Sequence, residues 1–335
     1  MSAVNRQIRL AARPTGEIDE NTFTVTEEPI PQPSAGEFVV AVDYVSVDPA
    51  MRGWLDDVPS YIPPVGIGEV MRAHAVGTVV ASENDKYPVD TVVSGPFGAQ
   101  EYAVSDGHDI MVVDTDLAPA PTWLGALGFP GMTAYFGLLD VAQTKPGDTV
   151  LISGAAGAVG SVAGQIAKLM GCRVIGVAGG ERKCSWLTDE LGFDAAIDYK
   201  QGSIGRPLRA AAPKGIDVYF DNVGGDVLNS ALAQLRTHAR VAICGAISGY
   251  NATTPLPGPS RYLSLLINRA SMAGFIIFDY RRRYPEAQAA LQAWIRSGQI
   301  TAAEQVEKGD ITAFGDTLAM LFSGANTGKL VLQIR

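Results

Sequence analysis

The sequence predicts an α/β protein in which a doubly wound parallel sheet is inserted into a mostly β domain. Three observations carry that expectation. Short Val-rich runs separated by Pro and Gly fill the first part of the chain. From Thr149 onwards, strand-like runs alternate with segments of helical spacing. This implies right-handed crossovers and a sheet with helices on both faces. The chain closes on two helical segments and the strand-like KLVLQI. An economical arrangement returns this tail to the first domain. The expected limits are 1–125 plus 296–335 for the β domain and 126–295 for the α/β unit.

At 335 residues, 47% hydrophobic and 18% charged, the chain is long enough for about two domains with a substantial core. A formal charge of −9 repels polyphosphate and argues against nucleic-acid binding. The cysteines, Cys172, Cys184 and Cys244, show no paired spacing, which fits a reducing compartment. The opening MSAVNRQIRLAARPTGE lacks the apolar core of a signal peptide, and no run of 18 apolar residues occurs. A cytoplasmic protein with no membrane partner is expected.

In order along the chain, FTVTEEPIPQP, GEFVVAVDYVSVD, AVGTVVAS and DTVVSGPFGAQEYAVS read as strands and turns. WLGALGFPGMTAYFGLL reads as a buried helical segment. The strands of the α/β unit are TVLISG, RVIGVAG, AAIDY, IDVYFDNVG, RVAICGA and SMAGFIIF. Between the first two, Val159, Val162, Ala163, Ile166 and Met170 recur at helical spacing, and Gly171 stands where that helix ends. RKCSWLTDELG is the next amphipathic segment. AQAALQAWIRSGQI and Ile311–Phe322 are the helices of the tail.

The junction LISGAAGAVGSVAGQIAK places the smallest residues between a strand and a helix. A tight turn there exposes backbone N–H groups and the positive end of the helix dipole, to which a pyrophosphate binds if no side chain blocks it. The motif is Ala155-x-Gly157-x-x-Gly160, with Gly154 relieving the turn. Gly157 admits the phosphates to the backbone and Gly160 admits the helix to the sheet. A full series of alternating strands and helices follows, so the turn reads as a dinucleotide cradle of a Rossmann unit. At the end of the second strand, NAD enzymes commonly carry an acid for the ribose 2′-hydroxyl. Here Gly179-Gly180 precede Glu181-Arg182-Lys183. That favours NADPH (NADP), with Lys183 or Arg182 pairing the 2′-phosphate, while Glu181 leaves a ribose contact open.

The chain resembles the medium-chain dehydrogenase/reductase superfamily. Within it, the likeness is to the zinc-independent branch of prostaglandin reductase, leukotriene B4 12-hydroxydehydrogenase and alkenal double-bond reductase. SVDPAMRG, GAAGAVGSVAGQIAK, LGFDAAIDYK, DVYFDNVGG, VAICGAISGYN and GANTGK carry it, in that order. The resemblance implies a GroES-like catalytic domain from both chain ends and a Rossmann domain between them. It places Ala155, Gly157, Ala158, Val159 and Gly160 at the pyrophosphate, Lys183 at the 2′-phosphate and Tyr199 beside the adenosine. Asn222 and the run Cys244, Gly245, Ala246, Ile247, Ser248 and Tyr250 would lie along the nicotinamide half. Phe275, Ile276 and Ile277 would border the nicotinamide, and Asn326 would reach the cofactor from the tail. The segment FDYRRRY, 278–284, departs from the pattern. The family is often dimeric, so a homodimer is expected, with the FIIF run as a candidate edge contact.

A catalytic zinc needs three protein ligands and an open position. No Cys precedes Cys172, and Gly66-Ile67-Gly68-Glu69 stands where the zinc branch has Gly-His-Glu. His74, His108 and His238 are scattered. No metal is expected, and the activity implied is NADPH-dependent reduction of the C=C bond of an enone or enal. Hydride reaches the β-carbon, charge collects on the carbonyl oxygen, and a proton must reach the α-carbon. Tyr250 matches the family's active-site tyrosine. A phenol is protonated at neutral pH and can donate to that oxygen or relay a proton, while water remains the other proton source. For the substrate pocket the candidates are Met51, Arg52, Tyr61, Tyr262 and Phe278, with Phe97 a further aromatic. Arg52 is either a pocket anchor or half of a structural ion pair. A quinone reductase and a non-catalytic NADPH-binding protein are the alternatives.

Overall fold

The computed structural model describes residues 4–335; Met1–Ala3, where the expected first domain begins, lie outside the described residues. β1 (Val4–Leu10) and β2 (Phe23–Pro29) pair antiparallel. β3 (Phe38–Ser46) leads into the short α1 (Ala50–Trp54). β4 (Ala75–Ser82), β5 (Val92–Gly95), β6 (Tyr102–Ser105) and β7 (Met111–Val112) follow. A buried 3-10 turn at Ala120–Leu124 precedes α2 (Phe129–Phe136), which runs into a π turn at Gly137–Val141.

The alternating part then comprises β8 (Thr149–Ser153), α3 (Ala158–Leu169), β9 (Arg173–Ala178) and α4 (Glu181–Ser185). It continues through β10 (Ala195–Asp198), α5 (Gly205–Ala211), β11 (Ile216–Asp221), α6 (Gly225–Leu232) and β12 (Leu235–Ile243). α7 (Leu263–Asn268), β13 (Ser271–Gly274) and α8 (Tyr284–Arg296) complete it. The tail supplies β14 (Glu304–Lys308), α9 (Phe314–Ser323) and β15 (Lys329–Gln333).

The chain divides into two compact units, Met1–Leu124 with Glu304–Arg335, and Gly125–Ala303. The first carries a sheet in the order β14-β15-β3-β4-β5-β7, with β6 on β3. Val40, Val42, Val45, Met51, Leu330 and Leu332 lie in its core, so both chain ends build one hydrophobic interior. β3 and β15 read as near-continuous apolar runs because both are almost fully covered.

The second unit is a six-stranded sheet in the order β10-β9-β8-β11-β12-β13, all pairs parallel. Numbered from its own first strand the order is 3-2-1-4-5-6, that of the Rossmann fold, and it reverses between β8 and β11. The doubly wound sheet and the separate mixed sheet, GroES-like in class, are those expected.

Three features differ from the sequence reading. β1 and β14 were not anticipated: VNRQIRL holds three apolar residues and EQVEK a single Val. SMAGFIIF was expected as one strand, yet β13 ends at Gly274 and Ile277–Arg283 coils into 3-10 turns. Phe275 leaves the strand line to pack edge-on against Phe220, ring centroids 6.2 Å apart. Finally, the chain leaves the second unit at Ala303 rather than at 295. Residues beyond α8 stay with it because Gln165 brackets Thr301, donating to its carbonyl at 3.0 Å and accepting its N–H at 2.7 Å.

Candidate functional site

The connections leaving the carboxyl ends of β8 and β11 part where the strand order reverses, and the glycine turn occupies that point. Gly154 takes φ +58°, a left-handed conformation that a side chain disfavours. A Cβ added there would stand 3.3 Å from the Cβ of Asn222. Gly157 is the N-cap of α3 and has no side-chain cap. The first-turn amides of Ala158, Val159 and Gly160 therefore have no intrahelical acceptor, and the positive end of the α3 dipole opens at the crevice. Gly160 sets the close approach: a Cβ would lie 2.4 Å from the Gly154 carbonyl oxygen.

Ala155 departs from its expected place facing a pyrophosphate. Its N–H donates to the Val177 carbonyl at 3.0 Å and its side chain is fully buried. It packs the turn onto β9.

A carboxylate that the sequence reading did not single out organises the crevice. Asp221, at the end of β11, is 1% exposed. It accepts hydrogen bonds from Ser153 Oγ at 3.0 Å, Tyr219 OH at 2.6 Å, Val223 N at 3.0 Å and Gly224 N at 2.9 Å. Burial beside this carboxylate pushes the Tyr219 phenol far above its ordinary range. Asn222 is tied to the end of β8: its backbone N–H donates to Ser153 Oγ at 2.9 Å and its Nδ2 to the Ser153 carbonyl at 2.7 Å. The FDNVGG motif contained the signal, with an acid preceding a turn of small residues.

The run after β12 is laced to this turn. Cys244 N and Gly245 N donate to the Asp221 carbonyl, Ile247 N to Asn222, and Ser248 N to Val223. Ser248 Oγ also donates to the Val223 carbonyl at 2.6 Å, so this hydroxyl fastens two loops together. Burial and the nearby Asp221 push the Cys244 thiol up to about 12, which keeps it neutral. Tyr250 follows one 3-10 turn, Ile247–Gly249, and its phenol oxygen accepts the Ala246 N–H at 3.2 Å. The phenol is thereby held at the carboxyl end of β12.

At the end of β9, Lys183 sits half-buried in α4. Burial first, then the charges of Lys200 and Arg182, lower its pKa. Three cations thus lie near one another, and Lys200 is a member that sequence reasoning passed over. Tyr199 lies against Gly179, where an added Cβ would fall 2.9 Å from its hydroxyl. Asp198 accepts from Gly180 N at 2.8 Å and Lys200 N at 2.9 Å. Those backbone bonds, Gly180 first, hold its pKa below the usual carboxylate value.

Other expected positions make contacts of their own. Phe275 packs on Phe220 as described, Ile276 precedes the 3-10 segment, and the Ile277 carbonyl accepts from Tyr284 OH at 3.0 Å. Phe278 stands edge-on to Phe129, centroids 5.7 Å apart. Tyr262 is exposed at the start of α7 rather than enclosed as a pocket wall.

In the first unit Met51 is wholly buried in the core. Arg52 donates to the Gly16 and Pro14 carbonyls and pairs with Asp56 at 2.7 Å. These two are therefore framework rather than pocket lining. Phe97 likewise joins the core. Tyr61 accepts from Trp54 Nε1 at 3.1 Å and borders a cavity of about 340 Å³ formed by residues 57–64. Asn326 is buried, its Nδ2 donating to the Gly328 carbonyl at 3.1 Å. Lys329, the last residue of GANTGK, is buried and donates to the Val47 carbonyl at 2.6 Å and to Asp48 at 2.9 Å. This joins GANTGK to SVDPAMRG. Burial pushes the His74 imidazole down to about 4, so it is neutral at pH 7. Among the described residues, no three His, Cys, Asp or Glu side chains are grouped to hold a metal ion.

A Rossmann sheet with a glycine turn at its switch point, in one chain with a mixed β unit closed by both chain ends, defines a dinucleotide-dependent oxidoreductase. Residues 6–113 match the model for the N-terminal domain of oxidoreductase, and residues 158–293 that for zinc-binding dehydrogenase. The NADPH-dependent curcumin reductase of Escherichia coli (strain K12) is 42% identical over 336 residues, covering 98% of this chain and 97% of that protein. The NADP(+)-dependent 2-alkenal reductase of Nicotiana tabacum is 35% identical over 337 residues, covering 98% and 97%. The crystal structure of CurA from Vibrio vulnificus in complex with NADPH superposes with a TM-score of 0.93 at 44% identity, covering 98% and 99%. The chain belongs to the medium-chain dehydrogenase/reductase family, in its zinc-independent branch.

Removing the Asp221 carboxylate leaves three buried donors and one half-buried donor without an acceptor. Asp221→Ala should cost about 3–5 kcal/mol of stability, and Asp221→Asn about half of that. Urea unfolding checks this; a loss below about 1 kcal/mol for the alanine variant contradicts the organising role.

Proposed function

We propose that the protein reduces the C=C bond of α,β-unsaturated ketones or aldehydes, using NADPH. The single observation that carries this reading is the crevice at the sheet's switch point. A held phenol, Tyr250, lies at its β12 end, and the cations Lys183 and Lys200 lie at the ends of β9 and β10. The 2-alkenal reductase among its relatives supports the reaction class, and the NADPH complex of CurA supports the cofactor.

When bound, the nicotinamide supplies a hydride. The uncapped amides at the start of α3 would hold the pyrophosphate, for which the dipole and the missing side chains suit them. Lys183, Lys200 and Arg182 would hold the 2′-phosphate, and Tyr199 would cover the adenine side. Asn222 and the Cys244–Tyr250 run, braced by Asp221, would line the nicotinamide half. Tyr250 would donate to the acceptor's carbonyl oxygen, where negative charge develops, and so stabilise the enolate. Its oxygen already accepts from Ala246 N, an arrangement that orients the phenol. The three free cysteines suit a cytoplasmic setting, and no helix among the described residues is long and apolar enough to cross a membrane.

A second copy of the chain is the partner best suited to the open edge of this unit. β13 pairs only with β12, and the adjoining α7 exposes Leu263, Leu266 and Ile267. Two such edges related by a two-fold axis would continue the sheet and cover the helix. The expected contact is β13 itself, since the FIIF run lies outside the strand. Leu266→Glu should convert the dimer to a monomer in sedimentation equilibrium; a monomeric wild-type chain at micromolar concentration overturns this assignment.

Lys183→Ala should weaken NADPH by about 1.5–3 kcal/mol and leave NADH nearly unchanged. The preference for NADPH should also depend on pH. It falls as pH rises through the lowered Lys183 pKa, because the neutral amine no longer pairs the phosphate. It falls again below about pH 6, where a phosphate monoester takes up a proton. Fluorescence titration of both cofactors tests this, and equal losses for NADH refute it.

Tyr250→Phe should lower kcat for enones by up to about 10²–10³. Steady-state assay against a panel of enals, enones and simple quinones tests the phenol and the acceptor class together. Near-normal turnover by the variant reduces Tyr250 to a pocket wall, and faster reduction of quinones than of enones overturns the acceptor class.

A further inference from the structure

The segment that follows β13 has no residue in the protein interior. None of Ile277–Arg283 is buried, yet Phe275–Ile277 at its start is the stretch read as the border of the nicotinamide. Burial does not hold such a segment in place, so side-chain contacts must. One of them is at its beginning, where Tyr284 OH donates to the Ile277 carbonyl. Tyr280 stacks on Phe136 with centroids 4.4 Å apart. The end of the segment is fixed by Arg283.

The Arg283 guanidinium engages two carboxylates from different elements. Nη1 and Nη2 both meet Asp140, in the π turn after α2, the second at 3.3 Å. Nε and Nη2 meet Glu286, in the first turn of α8, each at 2.9 Å. The guanidinium also lies over the Phe136 ring, 5.1 Å from its centroid, and Tyr135 OH donates to Glu286 at 3.0 Å. A planar fork of five donors can satisfy two carboxylates at once in this way, which an ammonium cannot. The side chain is 43% exposed, so the ion pairs themselves add little stability. What they add is geometry: α2, α8 and the segment are fixed relative to one another.

We propose that Arg283 is a positioning residue, which sets the backbone of Phe275–Ile277 through its clamp on Asp140 and Glu286 and so seats the nicotinamide half of the cofactor. The proposal rests on the reading of Phe275–Ile277 given above. Arg283 itself touches no reacting atom. Its influence is confined to the β13 end of the sheet, and the cations that would hold the adenosine phosphate stand at the β9 and β10 end.

The test compares two ligands on the full-length protein: NADPH, which needs both halves of the site, and adenosine 2′,5′-bisphosphate, which needs only the adenosine half. Arg283→Ala should raise the Kd of NADPH about tenfold and leave that of the bisphosphate within about twofold of wild type. Arg283→Lys, which keeps the charge but loses the fork, and Asp140→Asn should each give a smaller change with the same selectivity. Arg282→Ala, a neighbouring exposed arginine, should alter neither. NADPH affinity unchanged in both Arg283 variants, or parallel loss of both ligands, overturns the proposal. Because the readout is binding, a wild-type enzyme that binds NADPH but turns over no enone counts against the functional reading alone.

Discussion

A single buried carboxylate holds the functional end of the second unit together. Asp221 lies at the end of β11, and an ionised group there is costly unless its charge is met by donors. Ser153 brings β8 to it, Tyr219 and the amides of Val223 and Gly224 come from its own strand and turn, and its carbonyl collects the amides of Cys244 and Gly245 after β12. Three adjacent strands are thus fixed at their carboxyl ends. This is also where parallel sheets bind ligands, because the strand order reverses there and the crossovers part. The position of Asn222, and through the laced loop that of Tyr250, follows from this network.

Charge is distributed with the same economy. The chain carries a formal charge of −9, yet Lys183 has two cations for neighbours: burial first, then the charges of Lys200 and Arg182, lower its pKa. A net negative protein repels polyanions in general, so the proposed 2′-phosphate site would rest on this local group of cations. At the other end of the site, Cys244 is kept neutral by burial and by Asp221.

The fold was legible in the sequence where one face of an element is covered and its period is clear. β4, β8, β9 and β11 stand where the Val- and Ile-rich runs indicated, and the glycine turn lies between β8 and α3. β1 and β14 were illegible because charged and amide side chains dominate them, and pairing with neighbours defines them. The FIIF run was misread because a run of apolar residues looks alike in a strand and in a turn that packs on aromatics. In the site, backbone features were readable and side-chain roles were not. Gly160 announces a close approach by its identity, whereas Asp221 and Lys200 gain their meaning from partners brought together by the sheet.

That asymmetry bears on how the chemistry is divided. Arg52, Ser248, Lys329 and Arg283 have their hydrogen-bonding groups committed to carbonyls and carboxylates of the framework. The groups left to meet a ligand at the switch point are chiefly backbone amides at the start of α3 and one phenol after β12. Reduction of a conjugated double bond suits so sparse a set. The cofactor carries the hydride, the developing charge sits on a single oxygen, and one donor positioned there is enough to stabilise it. In this reading the work of the fold is to hold amides and a ring in place, with Asp221 acting at the middle of the sheet and Arg283 beyond its β13 edge.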